Sequence, residues 1–154
     1  MNKGLIPTFG FTLVELLVSI GILAIIFALT TINLSPIPSN TLETTNLDTL
    51  LSDMRSQQSL AMSNDSPYGV HFESTSYTLF QGANYVQGAA SNFVVNLDSG
   101  ISFSNVTFPS SQIVFSAGSG DVVGYTQGQD RFSLISSVTN KSSLEEINQY
   151  GATY

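Results

Sequence analysis

At 154 residues and 16.5 kDa, the chain has room for one domain of ordinary size and an appendage. Only 10% of its residues are charged, and four Lys+Arg against eleven Asp+Glu give a net charge of −7, a sign that repels phosphate backbones and makes nucleic acid an unfavourable partner. With no Cys and a single His, disulfide scaffolds, Cys-based zinc sites, thiol nucleophiles and multi-histidine metal sites are excluded.

The charge is unevenly spread. Up to Ile32 only Lys3 and Glu15 are charged, so the remainder carries three basic and ten acidic side chains. Residues 1–10 form a short leader with Lys3 and the α-amino group. From Phe11 to Ile32 runs FTLVELLVSIGILAIIFALTTI, whose one charged residue is Glu15. As a helix these 22 residues rise about 33 Å, enough for a hydrocarbon core of about 30 Å. Helical backbone satisfies its own hydrogen bonds in lipid, and the early positive charge favours an N-in, C-out orientation. A secretory signal peptide fits less well, because the apolar run exceeds the usual 7–15 residues and no A-x-A-like cleavage site follows. In a plain anchor Glu15 is unexplained, since a carboxylate within the span costs about 2.5–3.5 kcal/mol on insertion scales.

The order Gly10-Phe11-Thr12-Leu13-Val14-Glu15, followed directly by an apolar helix, resembles the class III signal of type IV prepilins and type II secretion pseudopilins. The resemblance implies cleavage by prepilin peptidase between Gly10 and Phe11, and N-methylation of Phe11. It places Glu15 on the family's glutamate, thought to pair with the terminal amine of a subunit already in the filament. Cleavage would create an ammonium on Phe11 about one helical turn from Glu15, where neither charge is well solvated alone. Methylation leaves that amine charged. The implied partners are other pilins or pseudopilins through their amino-terminal helices, prepilin peptidase, an inner-membrane assembly platform and the membrane itself. The implied location is the bacterial inner membrane, single-pass, and then an extracytoplasmic filament. Leu16, Leu17, Ile20, Leu23, Ile26 and Phe27 would pack on neighbouring helices, with Gly21 allowing close approach or bending.

The expected organisation is a leader at 1–10, an assembly helix at 11–33, a link at 34–40 and a globular domain at 41–154. Pro36 and Pro38 interrupt helical structure in the link. From Thr41 to about Asn64 the residues Leu47, Leu50, Leu51, Met54, Gln58, Ala61 and Met62 mark one face of an amphipathic helix. Glu43, Asp48, Asp53, Arg55 and Gln57 point elsewhere. The two methionines read as core fillers.

After Ser66 the pattern changes to short strands. Tyr68–Glu73 alternates cleanly, with Tyr77–Phe80 as its hairpin partner. Further strands are predicted at Phe93–Leu97, Ile101–Phe108, Gln112–Ser116, Val122–Thr126, Phe132–Ser137 and Glu146–Tyr150. The expected fold class is α+β: a long apolar helix, then an amphipathic helix packed on a mostly antiparallel sheet or two small sheets. From Leu50 to Phe80 this arrangement is similar to the H-type pseudopilins of type II secretion and related minor pilins (GspH/FimT-like). The carboxy-terminal cysteine pair of many major pilins is absent.

Catalytic, metal and cofactor sites are not expected. His71 lies opposite Val70 and Phe72 without a nucleophile motif and reads as an exposed strand histidine. Gly118–Gly124 lacks both the spacing and the Lys of a phosphate loop and reads as a turn. Asp121 and Asp130 lack a calcium-loop spacing, and Glu145-Glu146 reads as a solvated pair. Asn64, Asn105 and Asn140 head tripeptides of the glycosylation pattern, which arise readily by chance in a chain rich in Ser and Asn. Arg55, Arg131 and Lys141 among ten acids oppose DNA binding by the domain. The expected function is that of a minor pseudopilin or pilin subunit supporting secretion or pilus assembly. The alternative is a surface-displayed binding module for adhesion or substrate recognition on such a filament.

Overall fold

The computed structural model describes residues 12–31 and 39–153, with side chains placed for 12–27 and 43–153. The chain divides into two compact units, Met1–Pro36 and Ile37–Tyr154.

In the first unit, helix α1 spans Leu13–Thr31. Its large apolar side chains from Leu13 to Phe27 are all more than half exposed. The helix runs unbroken through Gly21, where a side-chain Cβ would meet nothing within 4 Å beyond its chain neighbours and the helix's own backbone.

The second unit begins with helix α2, Ser39–Ser63. Positions 34–38 of the predicted link lie outside the described residues, whereas Ser39 and Asn40 are already helical. The link is therefore shorter at its carboxy end than the sequence predicts. Proline disfavours helix at the residue before it and tolerates helix immediately after it.

Seven strands follow among the described residues: β1 Tyr68–Phe72, β2 Ser76–Gln81, β3 Phe93–Asn96, β4 Ile101–Ser104, β5 Gln112–Phe115, β6 Arg131–Ser136 and β7 Ser142–Glu146. They form two sheets, one in the order β3-β2-β1-β5 and the other β4-β6-β7. Every pairing is antiparallel. The α+β class with two small sheets agrees with the sequence expectation. The β1–β2 hairpin also forms, pairing Val70 with Leu79 and Phe72 with Tyr77.

Three predicted strands need correction. Ile101–Phe108 stops at Ser104, because Asn105 takes a left-handed φ of 51°, which ends extended pairing, while Phe108 turns back into the core. Val122–Thr126 contributes only an isolated bridge, Phe115 to Val122, before Gly124 turns the chain at φ 67°. The last strand is Ser142–Glu146 instead of Glu146–Tyr150. A turn through Asn140, at φ 54°, sets Arg131 opposite Glu146 and Leu134 opposite Ser143. This polar strand gains its place through the ladder and carries little hydrophobic signal of its own.

Helix α2 packs on β1, β5 and β6, so it bridges both sheets. Its inward face includes Leu50, Met54 and Ala61, with Leu47 and Leu51 partly buried beside them. The face also takes in Glu43, Asn46 and Gln57, each under 10% exposed, while Met62 is 55% exposed. Glu43 and Gln57 are thus misplaced by the periodicity, as is Met62. Burial of Glu43 and Asn46 is offset by specific partners. Ser143 Oγ donates to Glu43 Oε1 at 2.6 Å. Asn46 Nδ2 donates to Asp98 Oδ2 at 2.9 Å, and the Asp98 N–H returns a bond to Asn46 Oδ1 at 3.1 Å. Met54 fills the core as expected; Met62 instead lies over Gly120.

The centre is aromatic. Phe72 of β1 lies 5.2 Å from Phe103, 5.7 Å from Phe108 and 5.4 Å from Phe132, ring centroid to centroid. Because Phe103 and Phe132 belong to β4 and β6, this ring joins the first sheet to the second, and Tyr77 of β2 adds a further link to Phe103 at 6.3 Å. Tyr77 extends the cluster towards α2, where its hydroxyl donates to Asp53 Oδ2 at 2.6 Å. Burial and the neighbouring Asp53 push the Tyr77 pKa well above the ordinary tyrosine range.

Candidate assembly site at the amino-terminal helix

Gly10 and Phe11, the predicted cleavage and methylation positions, lie outside the described residues; Glu15 lies within them. Thr12 stands immediately before α1, and Glu15 is the acidic residue of its first turn. The two form a reciprocal cap. The Glu15 N–H donates to Thr12 Oγ1 at 3.3 Å. In return, the Thr12 N–H and the Thr12 hydroxyl donate to Glu15 Oε2 at 3.3 and 3.2 Å. This is the capping-box arrangement, in which side chains at the N-cap and third helical positions satisfy backbone donors that the helix leaves open. A carboxylate there also meets the positive end of the helix dipole. Ser19 continues the local pattern, donating through Oγ to the Glu15 carbonyl at 2.8 Å.

The sequence reading placed Thr12 in the motif but missed its role as the helix cap. The signal was present as T-x-x-E ahead of an apolar run. The box gives Glu15 a local reason to exist in an otherwise uncharged helix, and it draws the carboxylate back towards the end of the helix that follows Phe11. Among the described residues no helix is long and apolar enough to cross a membrane. Helix α1 has 19 residues, about 28 Å of rise. The predicted span of 11–33 also includes Phe11, Ile32 and Asn33, which lie outside the described residues.

The remaining sequence candidates are scattered through the second unit. His71 is only partly exposed, correcting its reading as an exposed strand residue. Its ring stacks on Tyr85 with centroids 4.0 Å apart and planes 6° apart. Desolvation by burial holds its pKa below the ordinary 6.5, against the opposing influence of Glu73 and a backbone bond at Ser110. Its Nδ1 is buried without a hydrogen-bond partner.

Gly118–Gly124 is a turn, as expected. The Gly118 N–H donates to the Ala61 carbonyl at 2.9 Å, and a Cβ on Gly120 would stand 2.7 Å from Met62 Cγ. Asp121 is exposed, whereas Asp130 is 1% exposed. Asp130 Oδ2 accepts from the Tyr125 hydroxyl at 3.2 Å, and its Oδ1 lies 3.5 Å from Arg131 Nε. That last contact is electrostatic only, because neither atom makes a hydrogen bond. Among the described residues no group of three or more His, Cys, Asp or Glu is placed to hold a metal ion.

Glu145 and Glu146 are each part-buried, correcting the picture of a solvated pair. Glu146 Oε1 pairs with Arg131 Nη2 at 3.1 Å, and burial raises the Glu145 pKa. Arg131 therefore spends its charge on Asp130 and Glu146. Asn64, Asn105 and Asn140 are all exposed.

Residues 8–31 match the prokaryotic N-terminal methylation motif. Neither a curated protein nor a solved structure matches the chain. The matched segment contains the capped helix start and its lone carboxylate, and through it the chain carries the motif characteristic of type IV pilins and pseudopilins.

Proposed function

We propose that this chain is a minor pseudopilin or minor pilin subunit, cut by prepilin peptidase between Gly10 and Phe11 and N-methylated on Phe11. In this reading residues 11–33 anchor the subunit in the bacterial inner membrane, with the amino terminus cytoplasmic and residues 41–154 outside. The subunit then leaves the bilayer for a type II secretion pseudopilus or a type IV pilus, and its work is non-covalent assembly. The methylation motif at residues 8–31 supports processing and a membrane-anchored amino terminus.

The observation that carries the assembly reading is the direction of the Glu15 side chain. Its carboxylate reaches back to the Thr12 N–H, one residue beyond the amine that cleavage would create. A new ammonium group on Phe11 would be the sequence neighbour of Thr12, whose N–H and hydroxyl this carboxylate already accepts from. Before cleavage Phe11 has no amine, so processing would switch the contact on.

Glu15→Gln separates two roles of this residue. Glutamine serves as well as glutamate at the third position of a capping box, yet it cannot neutralise an ammonium. The variant is expected to insert into the membrane and be cleaved normally, but to be depleted from filaments; Glu15→Ala is expected to behave likewise. Mass spectrometry of the mature protein should find a methylated phenylalanine first. A mature protein that begins at Met1, or normal filament incorporation of Glu15→Ala, would refute the mechanism.

A further inference from the structure

We propose that the second unit carries a saccharide-binding cleft centred on Tyr150. Two hollows adjoin this residue. One, of about 260 Å³, is lined by Asp121, Tyr125, Gln149 and Tyr150 together with Val122. The other, of about 280 Å³, lies between α2 and the carboxy-terminal segment and includes Arg55, Gln58, Tyr150 and Thr153 in its lining. Each has room for a single ring-sized group, and Tyr150 is the wall they share.

Tyr150 combines an exposed side chain with a fixed backbone. It is 63% exposed. Its N–H donates to Asn148 Oδ1 at 2.9 Å, and its carbonyl accepts from Gln58 Nε2 at 2.7 Å. The same Gln58 nitrogen donates to the Gly120 carbonyl at 2.9 Å, tying the loop before Asp121 to the same point on α2. The Val122 N–H bonds the Gln149 carbonyl at 2.9 Å, joining the two strips that line the first hollow. Tyr125 is oriented by its hydroxyl bond to the buried Asp130. Gly151 permits the close approach at Gln58: it has φ 76°, and a Cβ there would stand 2.7 Å from Gln58 Nε2. The walls are thus preorganised, so ligand binding need not order them.

The side chains of Asp121, Gln149 and Arg55 have no hydrogen-bond or ion-pair partner among the described residues. Together they offer a carboxylate acceptor, an amide with both donor and acceptor, and a guanidinium with five N–H donors. Tyrosine supplies rigid, amphipathic contact area at low entropic cost. Ring faces beside mixed donors and acceptors suit a molecule with apolar C–H faces and a rim of hydroxyls, which describes a pyranose. A nucleic acid would be repelled by Asp121 and the chain's net charge of −7. A metal ion would find too few ligands. Both hollows lie wholly within Ile37–Tyr154, so the inference stands or falls independently of cleavage at Gly10.

The test uses the full-length chain in a sugar-free detergent, since glycosidic detergents would compete for the cleft. Immobilised hexamers of glucose, N-acetylglucosamine and galacturonic acid are the probes. At least one should retain the protein. Tyr150→Ala should weaken that binding by about tenfold or more, the effect expected for truncating an aromatic anchor, while Tyr150→Phe should stay within about twofold because the ring face remains. Arg55→Met should weaken binding further along the same probe without altering the unfolding midpoint. Failure of all three hexamers to bind overturns the proposal, and so does binding that survives Tyr150→Ala unchanged.

Discussion

Gly69 gives the sharpest test of how the four-stranded sheet is packed. It sits in β1, the strand between β2 and β5, opposite Phe80 on one side and Val114 on the other. Its backbone is not in the left-handed region, so space and not conformation demands glycine. A Cβ there would stand 2.5 Å from the Ile113 carbonyl oxygen, 2.6 Å from Phe80 Cζ and 2.9 Å from Phe80 Cε1. Alanine would ordinarily gain about 0.5–1 kcal/mol over glycine within a strand. Overpacking a well-filled site costs about 1–3 kcal/mol. The first obstacle is backbone in the paired strand β5, and the second is a ring only 2% exposed, so the cost should fall near the top of that range. Gly69→Ala is therefore expected to destabilise the protein by about 2 kcal/mol net, lowering the melting temperature by about 4–8 °C for a chain of this size. Urea unfolding of the full chain, followed by tyrosine fluorescence, measures it. Adding Phe80→Leu should recover only part of the loss, because the carbonyl remains in the way. A variant as stable as the parent, or complete rescue by Phe80→Leu, would refute the reasoning.

Thr12→Val keeps the β-branched shape but removes the capping oxygen. It should cost about 1 kcal/mol at the helix start, read as roughly a fivefold loss of amide-exchange protection at Glu15, whereas Glu15→Gln should preserve that protection. Equal protection in both variants would remove the capping box as an explanation. Phe72→Ala deletes the ring with the most aromatic contacts between the two sheets and should cost about 3–5 kcal/mol, with both sheets losing exchange protection together; loss confined to the first sheet would contradict its bridging role. For His71, a lowered folded-state pKa means that the unfolded chain takes up the proton first as pH falls. Stability should therefore decline below about pH 6.5, and His71→Gln should flatten the change in denaturant midpoint between about pH 7.5 and about pH 5.5. Identical pH slopes for parent and variant would sink this account.

What was legible in the sequence was local. The lone Glu15 in an apolar run, the T-x-x-E register and the alternation of Tyr68–Phe72 rest on neighbours a few residues apart, where helix and strand periods act directly. The stripe on α2 was readable for the same reason through Leu50, Met54 and Ala61. It failed at Glu43, whose partner Ser143 is 100 residues away, and at Asn46, whose partner Asp98 is 52 residues away. Periodicity ranks a side chain by polarity and has no knowledge of a distant hydrogen bond that makes a polar group cheap to bury. The same limit hid β7, a polar strand specified by its pairing with β6, and it hid the fate of Arg131 between Asp130 and Glu146. It also concealed the setting of Tyr150, which is fixed by Gln58 from 92 residues away. The chemistry of the amino-terminal segment is thus written in adjacent residues, whereas the second unit's surface is decided by tertiary contacts that bring separated polar groups within bonding distance.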